Sequence, residues 1–459
     1  YGYNAIPAFD TLDQQERRTV DLFDVRRVPY MARRNYLIEL QHLLPWGVFA
    51  GMFEGTVSSI VVAKTFDAGP WLITIVMATP MFANLMGLVW GTLATGRRKL
   101  PLFMFFAAGC AVMISTVALT PAIDVGGWIF AAQIAVARMM LSGCMTVRAS
   151  LWKHNYPTVQ RGRIAARLQT VRFSLGIVTV IGVSLLFDVN PDTYVYVYLF
   201  AAVLGAAALL PVARMHVRGE KTELKAIAQE AASRDRGPRL SPLGLLRSVY
   251  EVLKGDRAFA RYCLALMMLG SANMMIMPIM TIIVTKQLYL SYFHSCNLME
   301  VLPRILMLGS LMPWAGLFDR VGAVRFRVVT GWTWTGTSFF GGLGAATIAY
   351  VGIDTTATFA VAVTFVALSR LCEGLSKGGG SIVWNLGHLH FAKSAKADIY
   401  MGTHAFLTGL RGLTAPFLGT FLYIRYGPIA FAVALTLALA GLAAFSSLAR
   451  SEKRSPPSP

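Results

Sequence analysis

Long apolar stretches, separated by short polar connections, make up most of the chain. About 20 apolar residues are needed to cross a bilayer as a helix, and about twelve stretches reach that length, at residues 43–64, 70–94, 100–121, 126–149, 167–187, 193–214, 262–285, 291–315, 327–350, 356–384, 400–424 and 428–448. They are continuous apolar runs, unlike the alternating strands of a membrane β-barrel. The pattern therefore predicts an all-α integral membrane protein with about twelve transmembrane helices.

The chain contains an internal repeat. The segment "ARMMLSGCMT" from Ala137 has a counterpart in "SRLCEGLSKGGG" from Ser369, and a Trp follows each. The separation between Arg138 and Arg370 equals that between Trp152 and Trp384. Similar halves of about six helices in the same direction predict two parallel six-helix bundles with a cavity between them.

Two polar segments divide the pattern. The sequence predicts a cytoplasmic N-terminal arm at 1–40, six-helix bundles at 41–215 and 259–448, a cytoplasmic linker at 216–258 and a tail at 449–459. The linker contains "EKTELKAIAQEAASR", which is helical by propensity, and the amphipathic "LLRSVYEVLKG".

Charge predicts the orientation. Only 14% of the residues are charged while 55% are hydrophobic, and the net charge is +19. The cations are concentrated in the even-numbered connections, as in "GRRK" and "DRVGAVRFR". The positive-inside rule then places both termini in the cytoplasm, and we expect a bacterial cytoplasmic (inner) membrane. A basic face beside anionic membrane lipids explains the charge without nucleic acid as a partner.

Several motifs give a resemblance to the major facilitator superfamily, over residues 40–448. The loop signature "AGLFDRVGAVRFR" begins at Ala315, and its first-half copy is degraded to "GTLATGRRK", with Thr95 in place of the family's Asp. Both repeats also carry an Arg followed by glycines. The resemblance implies alternating access between the two halves, with Asp319 and Arg320 as a conformational latch on the cytoplasmic side.

Ionisable groups inside apolar helices are costly unless they face a cavity or a partner, which makes them functional candidates. The candidates for binding or gating an anionic or zwitterionic solute are Arg138, Arg172, Arg370 and Arg411, together with Asn273 near Pro278. The candidates for proton coupling are Glu54, Glu300 and Glu373, with Glu54 preferred because a carboxyl in an apolar helix readily takes up a proton.

Structural roles remain open for the same groups. Arg370 and Glu373 are spaced i, i+3, and Glu300 and Arg304 are spaced i, i+4, so each pair can satisfy itself. Glu54 is also a candidate static partner for Arg138. No phosphate-binding loop, catalytic triad or metal motif is present in the sequence, so we expect no cofactor, no metal and no enzymatic activity.

The sequence favours a secondary active transporter that moves a small, anionic or amphiphilic solute, with possible proton coupling. The alternative is a non-transporting accessory or assembly subunit of a larger membrane complex, such as a pigment–protein complex. A transporter requires a hydrated cavity between its halves, whereas a scaffold tolerates a filled one.

Overall fold

A computed structural model describes residues 25–233, 242–391 and 397–454. The first half contains α1 (Tyr30–Phe53), α2 (Val57–Lys64), α3 (Pro70–Ala94), α4 (Lys99–Thr116), α5 (Asp124–Asn155), α6 (Thr158–Val189), α7 (Tyr194–Ala207) and α8 (Leu209–Val212). The linker contributes α9 (Glu220–Ser233) and α10 (Pro242–Gly255). The second half contains α11 (Arg257–Ile282), α12 (Tyr292–Cys296), α13 (Leu302–Val321), α14 (Ala323–Ala346), α15 (Thr356–Leu386), α16 (Ala397–Tyr426) and α17 (Ile429–Arg454).

The described ranges contain twelve candidate membrane spans once one long stretch is divided in two, in agreement with the predicted number of about twelve. Ten helical stretches are long and apolar enough to cross a bilayer, and the bent pair α1–α2 is an eleventh. One of the ten, Tyr292–Val351, has 60 residues, about three bilayer thicknesses if it were one straight helix. Gly322, with φ +76°, separates α13 from α14 within it, so this stretch supplies two spans. An even number of spans puts both ends of the bundle on one side of the membrane.

The first span begins earlier than the hydrophobic pattern predicts. Helix α1 starts at Tyr30 rather than near residue 43, so the last residues assigned to the polar arm are helical. Tyr36 and Glu39 are buried within this helix. The hydrophobic pattern leaves out the first part of α1 because that part contains charged and polar residues. A sequence does not show whether such a residue, for example Glu39, is buried or exposed. Residues 1–24 of the predicted arm lie outside the described residues.

The two halves repeat the same helix packing. In the first half α5 packs against α3 and α4, and in the second half α15 packs against α13 and α14. Likewise, α1 contacts α6 and α7, while α11 contacts α16 and α17. These packings in one half therefore have counterparts in the other, as the sequence repeat predicts.

The halves meet through α3 with α16 and through α6 with α12 and α13. At the end carrying the odd-numbered connections, here called the outer end, polar contacts join the two halves. Lys286 forms an ion pair with Asp67. Lys64 Nζ donates to the Leu290 carbonyl at 2.8 Å, and the backbone N–H of Phe293 donates to Asp188 at 2.9 Å. The outer end is thus closed in this conformation.

Candidate functional site

A break in the first span brings together most of the predicted ionisable residues. Helix α1 ends where Glu54 adopts an extended backbone, and α2 leaves at 42° to it. Gly55 lies between them with φ +71°, a conformation that side chains other than glycine rarely adopt. Breaking a helix exposes backbone carbonyls and N–H groups that need partners inside a membrane.

Arg138 of α5 satisfies the carbonyls at this break. Its guanidinium donates to the Phe53 carbonyl at 2.8 Å, to the Gly55 carbonyl at 2.7 Å and to the Thr79 hydroxyl at 2.6 Å. A further bond reaches the Val76 carbonyl at 2.8 Å. The sequence suggested a solute-binding role or a pairing with Glu54. The structure instead shows the Arg138 donors occupied by the backbone around the break, although the side chain still lines a cavity.

Glu54 pairs with Arg172 of α6 rather than with Arg138. The two side chains form a direct ion pair, and Arg172 also contacts the Gln169 amide oxygen at 3.3 Å. The second carboxylate oxygen of Glu54 is buried and has no hydrogen-bond partner among the described residues. Both side chains line the same cavity as Arg138. Glu54 therefore combines an ion pair to Arg172 with a carboxylate oxygen that has no hydrogen-bond partner within the described residues.

Glu300 reaches the break from the opposite half. Its carboxylate accepts from the backbone N–H of Thr56 at 2.9 Å and from the Thr56 hydroxyl at 2.6 Å. Arg304 approaches the other carboxylate oxygen at 2.5 Å, as the i, i+4 spacing suggested. Glu300 lies in a π-helical turn, Asn297–Val301, a distortion often found at functional sites. Thus a carboxylate of the second half binds the broken helix of the first.

Arg370 and Glu373 form an ion pair inside the second half. Both side chains are 0% exposed, and Lys377 contacts the same carboxylate at 2.8 Å. The structure therefore supports the alternative that Arg370 and Glu373 satisfy each other. Neither residue lies among those lining the two cavities described below.

The larger cavity adjoins the helix break and belongs mainly to the first half. It has a volume of about 690 Å³. Glu54, Arg138 and Arg172 line it next to the helix break, and Ala149 and Met401 are also among its lining residues. These last two residues are close to the end of α5 and the start of α16. The cavity therefore extends away from the closed outer end, toward the end that carries the basic connections.

A second cavity of about 390 Å³ lies in the second half. It contains Asn273 and Arg411 of the predicted set, together with Lys377. It shares the lining residues Asn84, Trp384 and Thr408 with the larger cavity, so the two adjoin. We refer to them below as the first-half and second-half cavities.

The second-half cavity also contains residues that sequence reasoning missed. Arg327 and Trp334 of α14 line it, and Arg327 is only 5% exposed. In the sequence Arg327 counted among the basic residues of a connection, because it ends a run of charges. The available signal was the spacing. Arg327 lies three residues after Val324 and three before Thr330, and residues at that spacing lie on one face of a helix, which is buried here.

The repeated tryptophans have different environments. Trp152 donates to the Glu39 carboxylate at 2.8 Å, and Arg148 and Tyr156 contact the same group. Burial and the neighbouring Glu39 raise the pKa of Tyr156 well above its usual value, so its hydroxyl remains a donor. Trp384 instead packs against His404, with ring centroids 4.4 Å apart, and lines both cavities. The sequence repeat therefore does not imply equivalent roles.

The predicted latch residues lie apart from both cavities. Asp319 and Arg320 are exposed in the last turn of α13, and no ion pair with either is present in the described ranges. In the degraded first-half copy, the linker supplies a carboxylate. Glu220 accepts the backbone N–H of Lys99 at 2.5 Å, at the start of α4. An anion at a helix N-terminus is favourable, so Glu220 provides an interaction that Thr95 cannot.

No protein-family model matches the sequence, and no curated protein matches it. Solved structures do match the fold. The nucleoside transporter NupG has a TM-score of 0.63 at 13% identity, covering 90% of this chain and 99% of that one. A D-xylose–proton symporter has a TM-score of 0.60 at 12% identity, covering 90% and 96%. A POT family transporter in complex with 5-aminolevulinic acid has a TM-score of 0.63 at 12% identity, covering 94% and 99%.

These similarities, over nearly the full length of each chain, show that the protein has the fold that these transporters share. The predicted fold is confirmed: an all-α integral membrane protein of two parallel six-helix halves. At these identities the likeness concerns the fold alone.

Proposed function

We propose that the protein is a secondary active transporter that moves a small anionic or amphiphilic solute by alternating access. The observation that carries the proposal is the contact of Glu300, in the second half, with Thr56 at the break in the first. This contact lies beside the first-half cavity, whose lining includes Glu54 and Gly55 at the break. Releasing it and closing the opposite end would expose the same cavity to the other side of the membrane.

The charges at the break support proton coupling. Glu54 and Glu300 each pair with one arginine, Arg172 and Arg304 respectively, close to the interface between the halves. Protonation of either carboxyl would weaken its ion pair, and protonation of Glu300 would also weaken its bonds to Thr56. The gating equilibrium would then follow the proton gradient. Glu373, enclosed within the second half, is the weaker coupling candidate of the three.

The orientation rests on the distribution of basic residues. With both termini in the cytoplasm of a bacterial cell, the first-half cavity opens inward and the outer end faces away from the cytoplasm. Asp319 and Arg320 would then engage only when the cytoplasmic end closes. Their exposure here is consistent with a latch that is released in this conformation.

The cavities bear on the alternative of an accessory subunit. A scaffold has no need of charged groups around open volume, whereas cavities of about 690 and 390 Å³ lined by arginines and a carboxylate suit a transporter. Native mass spectrometry after mild detergent extraction distinguishes the two. A single chain of 50.1 kDa supports the transporter, and a stoichiometric protein or pigment partner supports the accessory subunit.

Transport itself is tested in proteoliposomes on a solid-supported membrane. Wild-type protein is expected to give currents when organic anions are added under a pH gradient. Glu54→Gln is expected to abolish the dependence on the pH gradient, and Arg138→Ala to abolish transport because the helix break loses its partner. The exposed Arg425→Gln is the control. Unchanged currents in both Glu54→Gln and Arg138→Ala would overturn the proposal.

A further inference from the structure

The second-half cavity contains two buried arginines that have no carboxylate partner within the described residues. Arg327 is 5% exposed and Arg411 is 9% exposed, and both line this cavity. None of the ion pairs formed within the described ranges includes either of them. The Nε atom of each is buried without a hydrogen-bond partner there. Two guanidinium groups without a carboxylate partner in one membrane-embedded cavity are costly, and an anion bound between them would lower that cost.

The position of Arg411 is fixed by close packing. Its guanidinium donates to the Leu266 carbonyl at 2.6 Å and lies directly over Gly270 of α11, where any Cβ atom would collide with it. The absence of a side chain at Gly270 therefore makes room for the charged group. The side chain also lines the second-half cavity.

A third cation contributes to the same cavity. Lys377 lines it and remains 35% exposed, although it contacts Glu373. Glu373 also pairs with Arg370, so the three groups together carry one positive charge. Adding Arg327 and Arg411 makes the region strongly positive, with His404 left aside.

The remaining wall is largely apolar. Trp334 and Trp384 lie on it together with Met274 and Met307. Asn273 adds a buried amide oxygen that has no partner within the described ranges. An apolar cavity with a few fixed polar groups is the usual form of a small-molecule site, and 390 Å³ is within the usual size range. Flexible Met and flat Trp side chains favour a planar or branched apolar body.

We propose that the second-half cavity binds an amphiphilic organic anion. Its carboxylate or phosphate head would pair with Arg327 and Arg411, and its apolar body would lie between Trp334, Trp384 and the methionines. A hydrogen-bond donor on the ligand would meet Asn273 Oδ1. The inference rests on the proposed transport function, for which it specifies the solute class, and it assigns a binding role to α14.

Binding is tested on the full chain in detergent, without any transport assay. The probes are phenyl phosphate and 3-phenylpropionate, with 3-phenylpropanamide and phenethylamine as neutral and cationic counterparts. Thermal unfolding and tryptophan fluorescence report the binding of each. We expect the two anions to stabilise the protein, phenyl phosphate more than 3-phenylpropionate, and the amide and amine to have no effect. Equal stabilisation by all four probes, or by none, would overturn the proposal.

Variants locate the site. Arg327→Gln and Arg411→Gln should each raise the Kd of the anions by about tenfold or more, as expected for loss of a charged hydrogen bond. Gly270→Ala keeps every charge but displaces the Arg411 guanidinium, and it should weaken binding to a similar degree. Arg425→Gln, an exposed position on the same helix α16, is the matched control. Unfolding without ligand shows whether each variant remains folded, and an unchanged Kd in folded variants would overturn the assignment.

Two further outcomes separate this inference from transport. Anion binding that depends on Arg327 and Arg411, in a protein without transport currents, would support the site and contradict the transporter. Transport of organic anions that is insensitive to both substitutions would support the transporter and contradict the site. An anionic lipid retained in native mass spectra and lost in Arg411→Gln would overturn the assignment to a soluble anion.

Discussion

Glu300 of the second half accepts two hydrogen bonds from Thr56 of the first, one from its backbone N–H at 2.9 Å and one from its hydroxyl at 2.6 Å. The residue pair joins the halves at the point where the first span is broken. A carboxylate held by two such bonds and by Arg304 stabilises the conformation closed at the outer end.

Glu300→Gln should shift the protein away from the outer-closed conformation. A hydrogen bond to a charged group contributes about 1.5–3 kcal/mol, so its loss should change the population ratio by about tenfold or more. Spin labels on Asp192→Cys and Tyr289→Cys, exposed outer positions in opposite halves, report the distance across the outer end. The background should carry Cys372→Ser, because the other four cysteines are buried.

The expected result is a longer or broader distance distribution in Glu300→Gln. Glu251→Gln, which removes a carboxylate with 62% of its side chain exposed, should leave the distribution unchanged. If the Glu300 variant and wild type give the same distances, the contact does not hold the outer end closed.

Gly55→Ala should destabilise the protein more than Gly219→Ala. Both glycines have φ near +70°, at +71° and +66°, so both substitutions incur a backbone cost of about 1–2 kcal/mol. Only at Gly55 would the new Cβ meet another group, the Glu300 carboxylate, because Gly219 faces open space. Thermal unfolding of the two variants in detergent separates the cost of the contact from that of the backbone. Equal losses would show that Glu300 does not pack against the break.

Removing the charge of Arg370 alone should destabilise the protein more than removing the charges of both Arg370 and Glu373. Arg370→Gln leaves the fully buried Glu373 with only Lys377 as a partner, and breaking such a pair costs about 3–5 kcal/mol. The double variant Arg370→Gln/Glu373→Gln leaves no buried anion and should recover part of the loss. The measurement is the midpoint of unfolding in denaturant.

Arg247→Gln is the control for that series. Its side chain is 82% exposed and it pairs with Glu251, and exposed pairs contribute at most about 1 kcal/mol. A double variant that is no more stable than Arg370→Gln would show that the pair contributes through packing rather than charge.

Glu220→Gln should loosen the start of α4. The Glu220 carboxylate accepts the Lys99 N–H, and an anion at a helix N-terminus contributes about 0.3–1 kcal/mol. Hydrogen exchange at the first amides of α4 should therefore accelerate by up to about fivefold. Glu251→Gln, on the other linker helix α10, is the control. Unchanged exchange at Lys99 would mean that Glu220 does not anchor the linker to the first half.

Much of the architecture could be predicted from the sequence because membrane helices are specified by local composition. The fold predicted from the twelve apolar stretches and from the repeat of Arg138 and Arg370 agrees with the observed fold. The predicted start of the first span was displaced because α1 contains polar residues whose partners come from α5. A hydropathy value averages over neighbouring residues of the sequence and contains no information about a partner on another helix.

The sequence identified candidate residues for the site, but not which of their side chains contact each other. The i, i+3 and i, i+4 pairs at Arg370 and Glu300 could be anticipated, since both members lie on one helix. The partner of Glu54 could not, because Arg172 and Arg138 lie on different helices that both approach the same break. Arg327 was missed because its charge resembled that of its neighbours in a basic connection.

The sequence alone determined the number of spans, the two-fold internal repeat and the kinds of charge placed within the membrane, because these depend on composition and spacing along the chain. Only the tertiary structure decided that Arg138 serves the backbone, that Glu300 joins the two halves and that Arg411 and Arg327 share a cavity. Each of these depends on which helix faces lie against each other. The spans carry apolar residues on the faces toward lipid as well as on those toward other helices, so hydrophobic periodicity does not mark which faces pack together.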